Sequence, residues 1–236
     1  MDSITNYDFY GEFKDYTLKH LGVSSMQFYY WEKLQDRIYS PSAALTPYIL
    51  EERELRVTQM DIFSRLMMDR ILWVAGPVND GMSTVVQAQL LFLDENNTND
   101  ITMYVDSPGG SVKSGLSMID VMNYVHSDII TINTGMAASM GSVLLGAGTK
   151  GKRFSLKHSK VMLHQVSSGA QGNIQDLRIT LAESEKYNDI LFGLLGDFCG
   201  KSAETVKKDA SRDLWLTADE AVKYGIIEEV IEKMEK

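Results

Sequence analysis

The apolar positions of this chain fall into short strand-like runs that alternate with helix-like stretches. Arg70-Ile71-Leu72-Trp73-Val74 is a run of strand length, and Ser83 to Leu93 follows as a helix. Ile101-Thr102-Met103-Tyr104-Val105 reads as the next strand and ends at the turn Asp106-Ser107-Pro108-Gly109-Gly110. Val112, Leu116, Ile119 and Met122 then recur at spacings of three and four, which places them on one helix face. The β-branched run Ile129-Ile130-Thr131-Ile132 is a third strand, and Val143-Leu144-Leu145 belongs to the helix after it. Val161-Met162-Leu163 is a short strand leading into His164, and a loop bearing Gly169 and Gly172 precedes a long helical stretch over about 174–198. Repeated strand–helix units predict an α/β domain with mainly parallel pairing.

The first forty or so residues break this pattern. Aromatic residues crowd there, from Tyr7, Phe9 and Tyr10 to Phe28-Tyr29-Tyr30-Trp31, and disordered tails are poor in aromatics. Ser40-Pro41-Ser42-Ala43-Ala44 has the composition of a linker. The expected organisation is therefore an N-terminal extension or processed leader over 1–43 and, from about residue 60, the main α/β domain.

Composition narrows the function classes. A net charge of −9 with no Lys/Arg-rich run argues against a general nucleic-acid binder. Cys199 is the single cysteine, so the chain cannot form an intrachain disulfide. The N-terminus lacks a basic and then apolar leader, and no apolar run approaches the roughly 20 residues that span a bilayer. A cytoplasmic protein without membrane attachment is expected.

Candidate chemistry concentrates at strand ends. In Gly135-Met136-Ala137-Ala138-Ser139-Met140-Gly141, a serine surrounded by small residues stands between a strand and a helix. A hydroxyl there is exposed beside a helix N-terminus, as an acyl-transfer nucleophile needs. Serine is also a preferred helix N-cap, and both roles stay open at this point. Gly109-Gly110 ends the preceding strand, where backbone N–H groups freed by glycine can form an oxyanion hole. The alternative is a plain turn. His164 follows a strand and is the better candidate base, whereas His158 reads as a solvated loop residue. A carboxylate to orient the imidazole could come from Asp176, Asp189, Asp197, Asp209, Asp213 or Asp219; apolar neighbours favour a buried Asp213, but spacing does not select among them.

Other motifs carry little. Gly146-Ala147-Gly148-Thr149-Lys150-Gly151-Lys152 opens like a phosphate-binding loop, but Arg153 stands where Ser or Thr is needed, so it reads as a helix-terminating turn. No zinc or dinucleotide pattern is present, so neither a metal nor a cofactor is expected.

Six segments in order resemble the ClpP family of ATP-dependent Clp protease proteolytic subunits. They are Asp61-Ile62-Phe63-Ser64-Arg65-Leu66, Ser107-Pro108-Gly109-Gly110, Gly135 to Gly141, Lys150-Gly151-Lys152-Arg153-Phe154, Met162-Leu163-His164-Gln165 and Arg212-Asp213. The resemblance covers the chain from about Ala44 onward. It implies a crotonase-like α/β fold of stacked ββα units, with a protruding handle helix at about 174–198. It assigns Ser139 as nucleophile, His164 as general base and acid, Asp213 as the orienting carboxylate, and the N–H groups of Gly110 and Met140 as the oxyanion hole. It further implies a homo-oligomer of two stacked heptameric rings, fed with unfolded polypeptide by a hexameric ATPase of the ClpX or ClpA type. Tyr104 and Phe154 match positions of the ATPase-docking pocket, although from the sequence alone ordinary core packing is the better reading of both. The resemblance sets the bounds at 44–60 for an axial entrance segment and 61–236 for the protease domain.

Three departures stand out: the aromatic N-terminal extension, the charged run Glu51 to Arg56, and Ser211 where the family often carries an acidic residue in its ring–ring contact. Filled triad and oxyanion positions count against an inactive ring paralogue, the Ser-His-Asp set against an acyl-CoA crotonase with carboxylate bases, and His164 with the lack of a membrane segment against a Ser–Lys peptidase.

Overall fold

The computed structural model describes residues 48–53, 56–167, 169 and 171–233, so the expected extension over 1–43 lies outside the described residues. The chain divides into two compact units, one ending at Ile62 and one beginning at Phe63. In the first, β1 (Tyr48–Arg53) and β2 (Arg56–Asp61) pair antiparallel, with Tyr48 opposite Asp61 and Arg53 opposite Arg56. That hairpin occupies the segment expected to line the entrance.

The second unit alternates strand and helix, beginning within α1 (Ile62–Met68). β3 (Ile71–Ala75), α2 (Asp80–Asn96), β4 (Ile101–Ser107), α3 (Val112–Tyr124), β5 (Ile129–Ala138) and α4 (Met140–Gly146) follow. Then come β6 (Arg153–Leu156), β7 (Lys160–Leu163), α5 (Ile174–Cys199), α6 (Ala203–Asp209), β8 (Leu214–Thr217), α7 (Ala218–Tyr224) and β9 (Glu229–Ile231). The sheet runs β3-β4-β5-β6-β9, all parallel, while β7 pairs parallel with β5 and carries β8 antiparallel on its other side. The fold is thus α/β with a mixed sheet.

Local chemistry sets the helix ends. Asn79, Ser111 and Asn173 cap α2, α3 and α5 by accepting backbone N–H groups of the first turn. Thr217 and Glu220 form a capping box on α7, and Gly200 and Gly225 end α5 and α7 in the left-handed conformation that glycine adopts without strain. The α3 face carries Ile119 and Met122 into the core as the spacing predicts, joined by Gly115 and Met118.

The two faces of the sheet differ. Leu72 and Val74 of β3 and Ile101, Met103 and Val105 of β4 are buried, while alternate residues on the opposite face are less covered. The strand register aligns Trp73, Tyr104, Ile132 and Phe154 in one row across β3, β4, β5 and β6 on that opposite face, with the Trp73 and Tyr104 rings stacked at 5.1 Å. All seven residues of α4 are buried, as its small and aliphatic composition requires. The 26-residue α5 behaves differently: its buried residues all lie between Leu191 and Gly196, and Ile174, Ile179 and Leu181 are exposed.

A buried cation fastens the far side of this core. The 146–152 segment is the expected helix-ending turn, and its Lys152 is paired with Asp100 and Asp128. Beside it the Arg153 guanidinium, 5% exposed, pairs with Glu228 and donates to the carbonyls of Gly146 and Phe198, where α4 and α5 end. Burial works against the Glu228 carboxylate, yet hydrogen bonds from Arg153 and the Gly151 backbone outweigh it and hold its pKa below the ordinary value. A carboxylate with a lowered folded pKa contributes stability above its unfolded pKa and loses it as pH falls through the folded value. Arg153→Met should therefore cost about 3 kcal/mol at neutral pH in urea unfolding, by leaving one partner unpaired. The gap to the parent protein should narrow below the ordinary value of 4.5, as Glu228 takes up its proton in both proteins.

Candidate active site

Strand register alone brings the candidate residues together. Between Val105 and Ser107 the β4–β5 pairing slips, Val105 facing Asn133 but Ser107 facing Ala137. Beyond the slip β5 leaves β6 and pairs with β7, Met136 to Ala138 beside Lys160 to Met162. The Ser139 N–H then donates to the Met162 carbonyl at 2.9 Å, which sets Ser139 next to the end of β7, where His164 follows. On the other side Leu163 faces Leu214 in the antiparallel β7–β8 pair, so Asp213 falls opposite His164. One slip and two pairings gather residues spread over some 75 positions of sequence.

Ser139 does not act as a helix cap. It precedes α4, but its side chain caps no backbone N–H. Its Oγ lies 2.8 Å from His164 Nε2 instead. The Ser139 backbone has φ 54° and ψ −125°, a conformation that costs a non-glycine residue roughly 1–3 kcal/mol. The Ser139 carbonyl is held by Ser142 N–H at 3.0 Å and Ser142 Oγ at 2.6 Å, which with the Met162 bond fixes the strained turn.

Small residues let a second loop reach that turn. A Cβ on Gly109 would stand 2.6 Å from Ser139 Cβ, and one on Gly141 would stand 2.7 Å from the Ser107 carbonyl. Gly109 donates to Ser107 Oγ at 3.1 Å and its carbonyl accepts from Val78, while Ser107 Oγ donates to Gly76 O at 2.7 Å. Ser111 N–H is spent on the Val78 carbonyl. Between these tied groups, the N–H groups of Gly110 and Met140 have no protein acceptor among the described residues. Met140 opens α4, so its N–H is one of the unsatisfied donors that every helix start presents.

Asp213 departs from expectation. The apolar residues beside it suggest a buried carboxylate, but its side chain is 62% exposed and its Oδ1 stands 3.6 Å from His164 Nδ1. The reason is its position ahead of β8, which pairs with β7 alone, with Trp215 nearby also exposed. Of the other carboxylates weighed, Asp189 pairs with Lys207, Asp209 accepts from Tyr224, and Asp176 accepts from Asn173. His158 is exposed in the turn between β6 and β7.

A narrow cleft opens at Ser139, lined by Gly110, Met140 and His164 and walled by Val112, Val143, Val166, Leu191 and Leu195. Sequence reasoning missed this wall and the hydroxyl of Ser107. Leu191 and Leu195 lie on a helix whose pattern reads as ordinary core packing. Among the described residues, no group of three or more His, Cys, Asp or Glu stands close enough to hold a metal ion. Chemically, the site offers a hydroxyl against an imidazole, two free N–H donors and an apolar recess.

The Clp protease family profile matches residues 53–234. An ATP-dependent Clp protease proteolytic subunit from Bacteroides fragilis is 49% identical over 223 residues, covering 94% of this chain and 99% of the relative. The subunits of that name from Porphyromonas gingivalis and Ligilactobacillus salivarius are 47% and 46% identical, over 95% and 81% of this chain and 99% and 98% of theirs. At 94% and 95% coverage, the Bacteroides and Porphyromonas matches extend into the first 43 residues of this chain. The chain belongs to the Clp protease family and is a protease. Among the described residues, no helix is long and apolar enough to cross a membrane.

The contact at Gly109 yields a direct test. Gly109 has φ 89°, and a side chain there collides with Ser139 and with the Ala138 carbonyl. Gly109→Ala should lower peptide hydrolysis by roughly 10² or more, the loss expected when backbone donors next to a reacting hydroxyl are displaced, with helical circular dichroism unchanged. Activity within threefold of the parent would mean that the loop does not depend on this close approach.

Proposed function

We propose that this member of the Clp protease family is a serine endopeptidase, with Ser139 as nucleophile, His164 as general base and acid, and Asp213 as the orienting carboxylate. The observation that carries the reading is the 2.8 Å contact between Ser139 Oγ and His164 Nε2 at a strained strand–helix turn. In the mechanism, Ser139 Oγ attacks the scissile carbonyl as Nε2 takes its proton, and the tetrahedral oxyanion is received by the N–H groups of Gly110 and Met140. His164 gives the proton to the leaving amine, and water enters by the reverse route to release the acyl group. Asp213, on the Nδ1 side, favours the tautomer that leaves Nε2 free to accept. The apolar wall of the cleft suits an apolar side chain next to the cut bond.

The substrate class and partners follow from the family. The relatives' shared name describes an ATP-dependent protease. By extension, unfolded polypeptide is fed to this protein in the cytoplasm by a hexameric ATPase of the ClpX or ClpA type. Two stacked heptameric rings of a crotonase-like subunit would enclose the sites, with the exposed part of α5 as the handle between rings and the 44–60 segment at the entrance. The row of Trp73, Tyr104, Ile132 and Phe154 on the less covered sheet face supports ATPase docking there. Tyr104 and Phe154 are half-buried and not enclosed in the core, which favours docking over simple packing.

Two measurements test this. A fluorophosphonate should form one adduct on Ser139, and Ser139→Ala should lower peptide hydrolysis by ~10⁴ or more, because the triad acts as a unit. An unlabelled Ser139 in assembled protein would sink the serine mechanism. Tyr104→Ala should lower ATPase-dependent degradation of a folded protein at least about tenfold more than it lowers hydrolysis of a short peptide, in line with loss of one buried aromatic anchor. Equal losses in the two assays would remove Tyr104 from the docking surface.

A further inference from the structure

The imidazole of His164 is weakly held by its carboxylate. Nδ1 stands 3.6 Å from Asp213 Oδ1, beyond hydrogen-bond reach, and Asp213 is largely exposed to water. Its orientation therefore depends on whatever fixes the backbone that carries it. On the N-terminal side that is β7, whose last residue, Leu163, is fully buried and paired with Leu214. On the C-terminal side β7 has ended, and the sheet provides no partner.

A helix side chain provides one. The Val166 N–H, two residues after His164, donates to Asn188 Oδ1 of α5 at 3.0 Å. The neighbouring tie is longer, from Gln165 Nε2 to the Ser211 carbonyl at 3.4 Å. Asn188, Leu191 and Leu195 recur at spacings that share one helix face. Both leucines line the cleft beside Val166. One face of α5 thus walls the recess and grips the chain just beyond the base.

We propose that Asn188 is a positioning residue for His164, holding the segment after β7 so that Nε2 stays on Ser139 Oγ. This rests on Ser139 and His164 being nucleophile and base. Because α5 also supplies Leu191 and Leu195, a substrate side chain in the recess presses on the same helix that sets the base.

The test compares Asn188→Leu, which keeps the size and loses the acceptor, with Asn188→Asp, which keeps an accepting oxygen. In the full-length assembled protein, the fluorophosphonate inactivation rate of Ser139 is measured, together with kcat and KM for a short fluorogenic peptide. Asn188→Leu should lower both the inactivation rate and kcat about tenfold with KM within about twofold, as expected for a lost hydrogen bond that serves the chemical step. Asn188→Asp should remain within about threefold of the parent. Parent-like rates for Asn188→Leu would overturn the proposal. So would equal losses in both variants that track a lowered melting temperature, since that is a purely structural effect. Should the leucine variant fail to assemble, Asn188→Ala makes the same comparison. A parent protein that does not label at Ser139 would overturn the serine mechanism itself, a result distinct from any difference among variants.

Discussion

The arrangement of the whole site depends on the placement of one four-residue strand. β7 lies between β5, its parallel neighbour, and β8, its antiparallel one. The first pairing puts Ser139 beside the end of β7 through its bond to the Met162 carbonyl, and the second puts Asp213 across from His164. Because side chains alternate along a strand, a one-residue slip in either pairing would turn every facing residue to the other side. The fully buried side chains of Val161 and Leu163 hold that register, since a slipped strand would take both out of the core packing they make. Core packing and active-site geometry are therefore one constraint here.

A second constraint is space. The turn at Ser139 stays strained because its neighbours leave it no relaxed alternative: Gly109 lies against its Cβ, Gly141 against Ser107, and Gly115 against the Met140 side chain. Each glycine admits backbone where a methyl group would not fit. The cost of the φ 54° conformation is offset by hydrogen bonds to the Ser139 carbonyl and N–H that only this geometry makes. The gain is a hydroxyl directed away from its own helix and toward an imidazole. A relaxed Ser139 would be an ordinary N-cap with its oxygen turned back onto α4.

Much of this was legible in the chain. The runs at 70–74, 101–105 and 129–132 announce strands through β-branched and apolar residues, although β4 and β5 run on to Ser107 and Ala138, and the α3 spacing announces its buried face. Strand ends in an α/β fold are where chemistry collects, which made Ser139, Gly110 and His164 readable as candidates. What stayed hidden is long-range. β6, β8 and β9 are three or four residues long, too short to show a period, and their pairing reflects tertiary packing more than propensity. The slip between Val105 and Ser107 has no local signature, yet it sends β5 toward β7. The exposure of Asp213 was misjudged for the same reason: Leu214, Trp215 and Leu216 look like a buried run, but β8 is an edge and Trp215 faces water.

That exposed carboxylate matters for how the imidazole is oriented. Two unit charges about 4 Å apart interact by about 1 kcal/mol in bulk water, and by several times more where solvent is excluded. With Asp213 largely in water, its pull on Nδ1 is screened, so the geometry also leans on β7 to one side of His164 and on the Asn188 contact to the other. Covering Asp213 would reverse that balance, because the same 3.6 Å pair would strengthen without any atom moving far. The part of α5 before Leu191 leaves Ile174, Ile179 and Leu181 exposed as well. Exclusion of water from Asp213 would act on His164 through the field at Nδ1, whereas α5 acts on it through the Val166 backbone.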